Sequence, residues 1–393
     1  MENILIKSTM NHHILRLMGF ARLNHTQPKL KLPKKNKNMD KVRKSHPYKL
    51  IHPWKSKALF CESMVKQVIY NKDGLVAINK PYGISARPFE FENKKKQPKI
   101  SGIFNEKKYM LTDAVPHIAK ELGYESLIIA KTPEKFTSGV TLLSASDKVT
   151  EAISKSMRRA EGARIIPRTY WTVTRRVPIF PEGERRVAMK LIEGPEKGVK
   201  EVVIVPKWSE NERARGDIKI LNVQFKVLST ASHNLASLME IKASTSQWHA
   251  VRLFAATVTL SPILGDRVYG SRAQDVMGKF LLVSPFVEAA HVPPKLDPDL
   301  LKVIKMIPNK STMIPAHVHL REMFLPSFLK KGNDISITAP LQPEFLWTCD
   351  QLGFKEQLFM PVSNEINSTS NSNSTVNNDE EEQYDSKQCL AIT

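Results

Sequence analysis

Cysteine is scarce in this chain. Cys61, Cys349 and Cys389 are the three present in 393 residues. Widely separated and odd in number, they exclude a disulfide framework and the close spacings that hold a structural metal. A reducing compartment follows from that scarcity. Long apolar runs are missing too. No uninterrupted stretch approaches the ~18 residues a membrane span needs, so no membrane partner is expected. Acidic residues form the third shortage, with 39 Asp and Glu against 59 Lys and Arg, a formal net charge of +20. The shortage is uneven. Residues 1–60 hold 14 Lys and Arg against 2 acids, whereas residues 361–393 hold 1 Lys against 6 acids. The residues between still carry an excess of cations, and such a surplus attracts a polyanion at long range.

An apolar content of 41% supports a real core, and the length suits one large domain or two. Residues 14–23 can form a short helix with apolar bulk, basic residues and few acids nearby. Residues 1–60 therefore read as a mitochondrial targeting segment and basic linker, and a start at Met10 would remove Glu2 and improve the match. The run of Lys and Arg over residues 29–44 also suits an RNA-binding arm or a nuclear signal. The end of the chain, residues 361–393, is rich in Asn, Ser and acids, and reads as a disordered tail.

Folded sequence begins near Met64. Residues 68–81 spell two short strands joined at Asp73-Gly74, then a loop opened by Pro81 and Gly83. Lys94-Lys95-Lys96 lies in a polar stretch, a surface loop, that lasts to about Lys108. Thr112 is placed to cap a helix with Val115, Ile118, Ala119 and Leu122 on one face, ended by Gly123. Two strand-length apolar runs, 127–130 and 140–145, then bound a polar turn with Glu134 at its tip and Lys131 and Lys135 beside it. Gly139 lets that turn enter the second strand. Asp147 starts a helix with Val149, Ala152, Ile153 and Met157 on its apolar side. Its other side shows Lys155, Arg158 and Arg159, with Arg164 and Arg168 following. Residues 168–174 alternate as a strand carrying Tyr170, and residues 187–244 read as an antiparallel meander with a polar loop at 209–217. Residues 245–256 form one helix behind a serine cap. His317 and His319 share a strand face without a third ligand, so no metal is expected there.

Thr137-Ser138-Gly139-Val140, with Leu142 and Leu143, resembles the second half of the catalytic loop of the RluA-type pseudouridine synthases. That loop runs His-Arg-Leu-Asp, two variable residues, Thr-Ser-Gly, then an apolar strand. Lys131, Thr132, Pro133 and Glu134 stand where His, Arg, Leu and the nucleophilic Asp belong. Asn79-Lys80-Pro81 with Gly83 is similar to the family's opening motif, and Arg168 with Tyr170 to its strand bearing the pocket tyrosine. His249, Val251 and Arg252 match its His-Gln-Ile-Arg-Val-His helix, with Ala250 and Phe254 in place of Gln and the second His. Pro262 to Asp266 with Tyr269-Gly270 resembles the closing motif, and residues 315–320 and 339–341 its last strands. The resemblance covers residues 66–355 and includes no small RNA-binding domain. The altered loop is similar to that of the divergent mitochondrial mRNA branch.

The resemblance implies an α+β fold, a bent and mainly antiparallel sheet with flanking helices and a central cleft. It implies isomerisation of uridine to pseudouridine in mitochondrial RNA, mRNA or rRNA, in the matrix and without a cofactor. In that chemistry a carboxylate acts as nucleophile or proton acceptor, here Glu134. Arg252 pairs with it and keeps it ionised, and Tyr170 packs against the base. The uridine must be flipped out of any helix, at a cost of a few kcal/mol. Lys131, Lys135, Lys155, Arg158, Arg159 and Arg168 are the candidates for RNA contact. Glu134 carries a longer arm than the family's Asp, which leaves a second expectation open. The chain can instead be an RNA-binding protein of the same fold without turnover, with protein partners in mitochondrial RNA granules or ribosome assembly.

Overall fold

The chain enters its fold earlier than its charge suggests. A computed structural model describes residues 45–86 and 103–355, except Lys197 and Gly278. Most of the expected leader, the Lys94-Lys95-Lys96 loop and the acidic tail lie outside the described residues. Residues 45–60 do not behave as a linker. Tyr48, Phe60 and Met64 are fully buried, and the Tyr48 hydroxyl is 2.8 Å from that of Thr348. His52 donates from Nε2 to the Tyr82 carbonyl at 3.0 Å and accepts at Nδ1 from the Lys107 amide at 3.3 Å. Aromatic side chains each bury ~150–250 Å², and here they outweigh the surrounding lysines, of which Lys55 and Lys57 remain at the surface. Helix α1 (Lys57–Val65) follows, with Ser56 Oγ accepting from the Leu59 amide.

Strands β1 (Val68–Lys72) and β2 (Leu75–Lys80) form the expected hairpin. Asp73 and Gly74 both take positive φ, 53° and 76°, as a tight primed turn requires. Helix α2 (Leu111–Glu121) starts one residue before the expected Thr112 cap. The reason is Asp113, whose Oδ2 accepts from the Met110 amide at 2.9 Å and fixes the start there. Strands β3 (Ile128–Lys131) and β4 (Ser138–Ser144) flank the Glu134 loop. Helix α3 (Asp147–Gly162) begins behind a Ser146 cap, and β5 (Arg168–Thr174) carries Tyr170. The meander is β6 (Glu182–Glu193), β7 (Lys200–Val205), β8 (Ile218–Thr230) and β9 (Ser237–Ala243). In the expected polar loop at 209–217 lies a short helix, α4 (Glu210–Arg215), because Ser209 and Glu212 cap each other reciprocally and Gly216 ends it.

Helix α5 (Ala250–Thr257) is shorter than expected, and residues 245–249 are not part of it. A separate hairpin, β10 (Ala273–Val276) with β11 (Lys279–Leu282), and helix α6 (Pro298–Val303) come next. Strands β12 (Val318–Leu325) and β13 (Ile335–Thr338) and helix α7 (Pro343–Gln351) complete the described chain.

Eleven strands make one open mixed sheet, in the order β1-β2-β4-β12-β5-β9-β8-β6-β7, with β3 also on β4 and β13 on β12. Among the described strands only β4 and β12 run parallel. The late strand β12 thus wedges between β4 and β5, so the Glu134 loop and Tyr170 sit on strands one apart. This wedge explains Gly139. It lies within β4 at φ 110°, and a Cβ there would fall 2.2 Å from the Leu320 carbonyl oxygen on β12. Close approach of two strands, more than the turn, demands glycine.

Strand β2 is buried on both faces. Leu75 and Ala77 join the main core, while Val76 and Ile78 join a second core with Phe60 and Met64 of α1 and Leu111 and Ile118 of α2. Helix α3 lays Val149, Ala152 and Ile153 on the main core, as its spacing predicts, and α5 adds Val251, Leu253 and Phe254. Each Val, Ile, Leu or Phe among them contributes ~1.5–3 kcal/mol by burial, so both elements that bear on the site rest on a fixed floor.

Candidate active site

Residues 132–137 join β3 to β4, and their backbone is held from below. Lys80 is fully buried, and its Nζ donates to the carbonyls of Ile84 at 3.0 Å and Glu134 at 3.1 Å. The carbonyls of Pro81 and Lys135 are 3.4 Å away. Burial pushes the Lys80 ammonium down to about 7, against the pull of the Glu134 carboxylate. Gly83 donates its amide to the Lys135 carbonyl at 2.9 Å, and Thr137 its amide to the Glu134 carbonyl at 3.1 Å. Asn79 Nδ2 donates to the Pro340 carbonyl at 2.8 Å, and Gln342 Nε2 to Asn79 Oδ1 at 2.9 Å. The Asn-Lys-Pro-x-Gly motif is therefore the clamp for the loop.

The Glu134 side chain is a quarter exposed. Arg252 Nη1 donates to its Oε2 at 3.2 Å, His249 Nδ1 touches the same oxygen, and Thr137 Oγ1 donates to Oε1 at 3.2 Å. Burial alone would raise this carboxyl. Arg252, His249 and Thr137 outweigh burial and hold it at about 2. It is ionised at any ordinary pH.

Arg252 is itself positioned by a second carboxylate. Its Nε donates to Asp266 Oδ2 at 2.9 Å and its Nη2 to Asp266 Oδ1 at 2.7 Å, with both residues almost fully buried. Asp266 also accepts the amides of Val268 at 2.9 Å and Tyr269 at 3.2 Å. Burial disfavours charge on Arg252, but Asp266 and Glu134 more than restore it. One guanidinium thus spans two carboxylates, a fork that fixes direction as well as charge. Its carbon lies 5.6 Å from the centre of the Tyr269 ring.

Tyr170 on β5 is almost buried, and burial raises its hydroxyl to about 12. With Pro133, Glu134, Thr137, Ser246, His249 and neighbouring residues it bounds a small pocket. The structure therefore brings Glu134, Tyr170 and Arg252 to one place, although they come from a loop, a strand and a helix far apart in the chain.

The start of α5 departs from the sequence expectation. Trp248 and His249 both take the left-handed conformation, at φ 52° and φ 56°. Such a state costs about 1–2 kcal/mol for a residue with a side chain. Trp248 packs against the main core, and His249 turns its ring to Glu134 and to within 5.8 Å of the Tyr269 ring centre. Helix propensity favours continuation through these residues, and tertiary contact overrides it.

The candidates for RNA contact fare unevenly. Lys135 pairs with Glu106 at 2.7 Å and Lys155 with Glu151 at 2.8 Å. Arg159 Nη1 donates to the Ser327 carbonyl at 2.6 Å, and Arg168 Nη1 to the Ser244 carbonyl at 2.7 Å. Arg168 Nη2 also lies 3.7 Å from Met157 Sδ, so Arg168 braces β5 against α3 and the segment before α5. Arg158 is exposed, and Lys131 is half-buried at the end of β3. None of the six bounds the pocket. His317 is fixed by the Leu264 carbonyl and Thr348 hydroxyl, and His319 by the Ser138 hydroxyl and Ala339 carbonyl. Burial lowers the two imidazoles to about 4 and about 3. Among the described residues, no group of three or more His, Cys, Asp or Glu is placed to hold a metal.

Lys80, His249 and Asp266 each lie within a motif, yet the sequence does not mark them as site residues. Their signal was the motif itself. Their roles lay in partners 54, 115 and 14 residues away along the chain.

The fold matches that of a solved structure, human RNA pseudouridylate synthase domain containing 4, with a TM-score of 0.55. That match covers 76% of this chain and 97% of the other, at 21% identity. In sequence the chain is 28% identical over 295 residues to the mitochondrial mRNA pseudouridine synthase RPUSD3 of Homo sapiens, covering 74% of this chain and 77% of that one. It is 24% identical over 332 residues to the mitochondrial pseudouridylate synthase RPUSD4 of Mus musculus, covering 82% and 77%. No family model matches the chain. By sequence and fold, this chain is a homologue of the RluA-type pseudouridine synthases. The relatives it resembles in sequence are mitochondrial ones.

Proposed function

We propose that the chain is an RNA pseudouridine synthase of the mitochondrial matrix, with Glu134 as its reacting carboxylate. The observation that carries this reading is the Glu134 side chain, held ionised by Arg252 beside the buried Tyr170 at a pocket. The reaction is an isomerisation. The bond from ribose C1′ to uracil N1 breaks, the base turns, and C1′ joins C5, whose hydrogen leaves as N1 gains one. Nothing is oxidised or reduced, so the residues need supply only a carboxylate, a counter-charge and a surface for the base. Oε2 is engaged by Arg252 and His249, while Oε1 takes a single hydroxyl from Thr137. Oε1 is thus the oxygen left to meet C1′ or take a proton from the ribose. Tyr170, neutral through the ordinary pH range, is a packing surface and not a base.

The basic leader and the mitochondrial names of the relatives support the location. The substrate is RNA, mRNA or rRNA, in which the uridine is single-stranded or flipped. Protein partners belong to RNA granules or ribosome assembly. One observation favours a second reading, an RNA-binding protein without turnover. A glutamate stands where the family has aspartate, and a displacement of ~1 Å can lower a rate about a hundredfold. Replacing the protein in cells by Glu134→Gln and mapping pseudouridine in mitochondrial and cytosolic RNA tests both readings. Loss of specific mitochondrial sites is expected. Unchanged sites contradict the enzyme, and loss confined to cytosolic RNA contradicts the location.

A further inference from the structure

Three features at the start of α5 belong together. His249 holds a left-handed backbone, which side chains avoid, and so does Trp248 before it. Its Nδ1 touches Glu134 Oε2, the oxygen that Arg252 also engages. Its ring is partly exposed and bounds the pocket. Arg252 Nη1 is 3.2 Å from Nδ1 as well. A lone pair on Nδ1 would face a carboxylate oxygen at contact distance and repel it, so the proton belongs on Nδ1 and His249 donates to Glu134.

Arm length gives this contact its meaning. An aspartate at position 134 would withdraw the carboxylate by about 1.5 Å, one C–C bond, away from the ring nitrogen. A glutamate has one more rotatable bond and needs one more restraint to present a single geometry. Arg252 restrains Oε2 from one side and Thr137 restrains Oε1, which leaves His249 as the donor that fixes the added length. We infer that His249 is a positioning residue, whose left-handed backbone aims Nδ1 at Glu134 and fixes the longer arm of the glutamate. The inference rests on the proposed activity for its effect on rate, but the Glu134–His249 coupling can be measured without turnover.

His249→Gly is the informative variant, since glycine accepts positive φ without strain and supplies no donor. His249→Asn is its partner, since asparagine tolerates the left-handed region and offers an amide N–H near the place of Nδ1. The charged and titratable groups that face Glu134 are Arg252, His249, Lys80, Tyr170 and Tyr269, and none but His249 changes in these variants. The full-length protein is tested under single turnover on mitochondrial-gene transcripts carrying [5-³H]uridine, with RNA affinity, melting temperature and the Glu134 carboxyl titration by ¹³C NMR. His249→Gly is expected to melt no lower than wild type and to bind RNA equally, yet to react about 10- to 100-fold more slowly. His249→Asn should recover most of that rate. In a Glu134→Asp background the penalty of His249→Gly should shrink to less than about threefold, because the shorter arm no longer meets the ring. The Glu134 carboxyl should titrate about one unit higher in His249→Gly than in wild type, the worth of one hydrogen bond.

An unmoved titration overturns the inference whatever the rates show. So does an equal loss for the Asn and Gly variants, or a penalty that persists unchanged in the Glu134→Asp background. If wild type releases no tritium while the titration shifts as stated, the proposed activity fails and the positioning of Glu134 by His249 stands.

Discussion

A glutamate carboxyl ordinarily titrates near 4.5, and that of Glu134 is held at about 2. Its folded value lies below its unfolded one, so the stability it contributes is fully present above about pH 4.5. That contribution is lost as pH falls toward 2. Wild type should therefore be more stable than Glu134→Gln at pH 6, and the difference in denaturant midpoint should narrow as pH falls from 5 to 2. A constant difference would show that the Arg252 contact does not hold the charge. At this scale the sequence was informative where a residue type carries its role with it. Glu134, Tyr170 and Arg252 are a carboxylate, an aromatic platform and a cation in motif positions, and the structure places them side by side. Asp266 was not legible, because its role is the bidentate grip on Arg252 and appears only when the chain between them turns back.

Among the elements, the parallel pairing of β4 with β12 decides whether the loop and Tyr170 share a pocket. Its tightest point is Gly139 against Leu320. Gly139→Ala should destabilise the fold by about 3 kcal/mol or more, since a methyl would overlap backbone that cannot yield without parting the strands. Chemical denaturation reads this directly, and a loss below about 1 kcal/mol would contradict the close approach. The strands flanking the loop were legible, because β-branched runs of the right length bound a polar turn. The position of β12 was not, since residues 138 and 320 share no local signal. The start of α5 misled for the opposite reason. Residues 245–256 do favour a helix, and the packing of Trp248 and the contact of His249 with Glu134 overrule that preference.

Over the whole molecule, segment 45–65 straps the N-terminal side of the fold to α7 and to the loop that clamps Glu134. Tyr48 reaches Thr348, and His52 reaches the Tyr82 carbonyl. Composition read the start of this segment as linker because it continues the basic run before it, whereas its buried aromatics dominate the energy. Tyr48→Ala and Phe60→Ala should each lower unfolding free energy by about 3–5 kcal/mol. Were residues 45–60 a linker, Tyr48→Ala and Phe60→Ala would have no measurable effect on denaturation.

The excess of cations in the body suits RNA, and the fold is that of a solved RNA pseudouridylate synthase domain, so the activity expected is turnover at Glu134. Tritium released to water from RNA carrying [5-³H]uridine measures it, because joining C1′ to C5 expels the hydrogen there. Purified wild-type protein should release tritium, and Glu134→Gln should release at least about a hundredfold less while binding the same RNA within about twofold. Equal release from both proteins, or none from wild type on RNA that it binds, would show that Glu134 is not the reacting carboxylate.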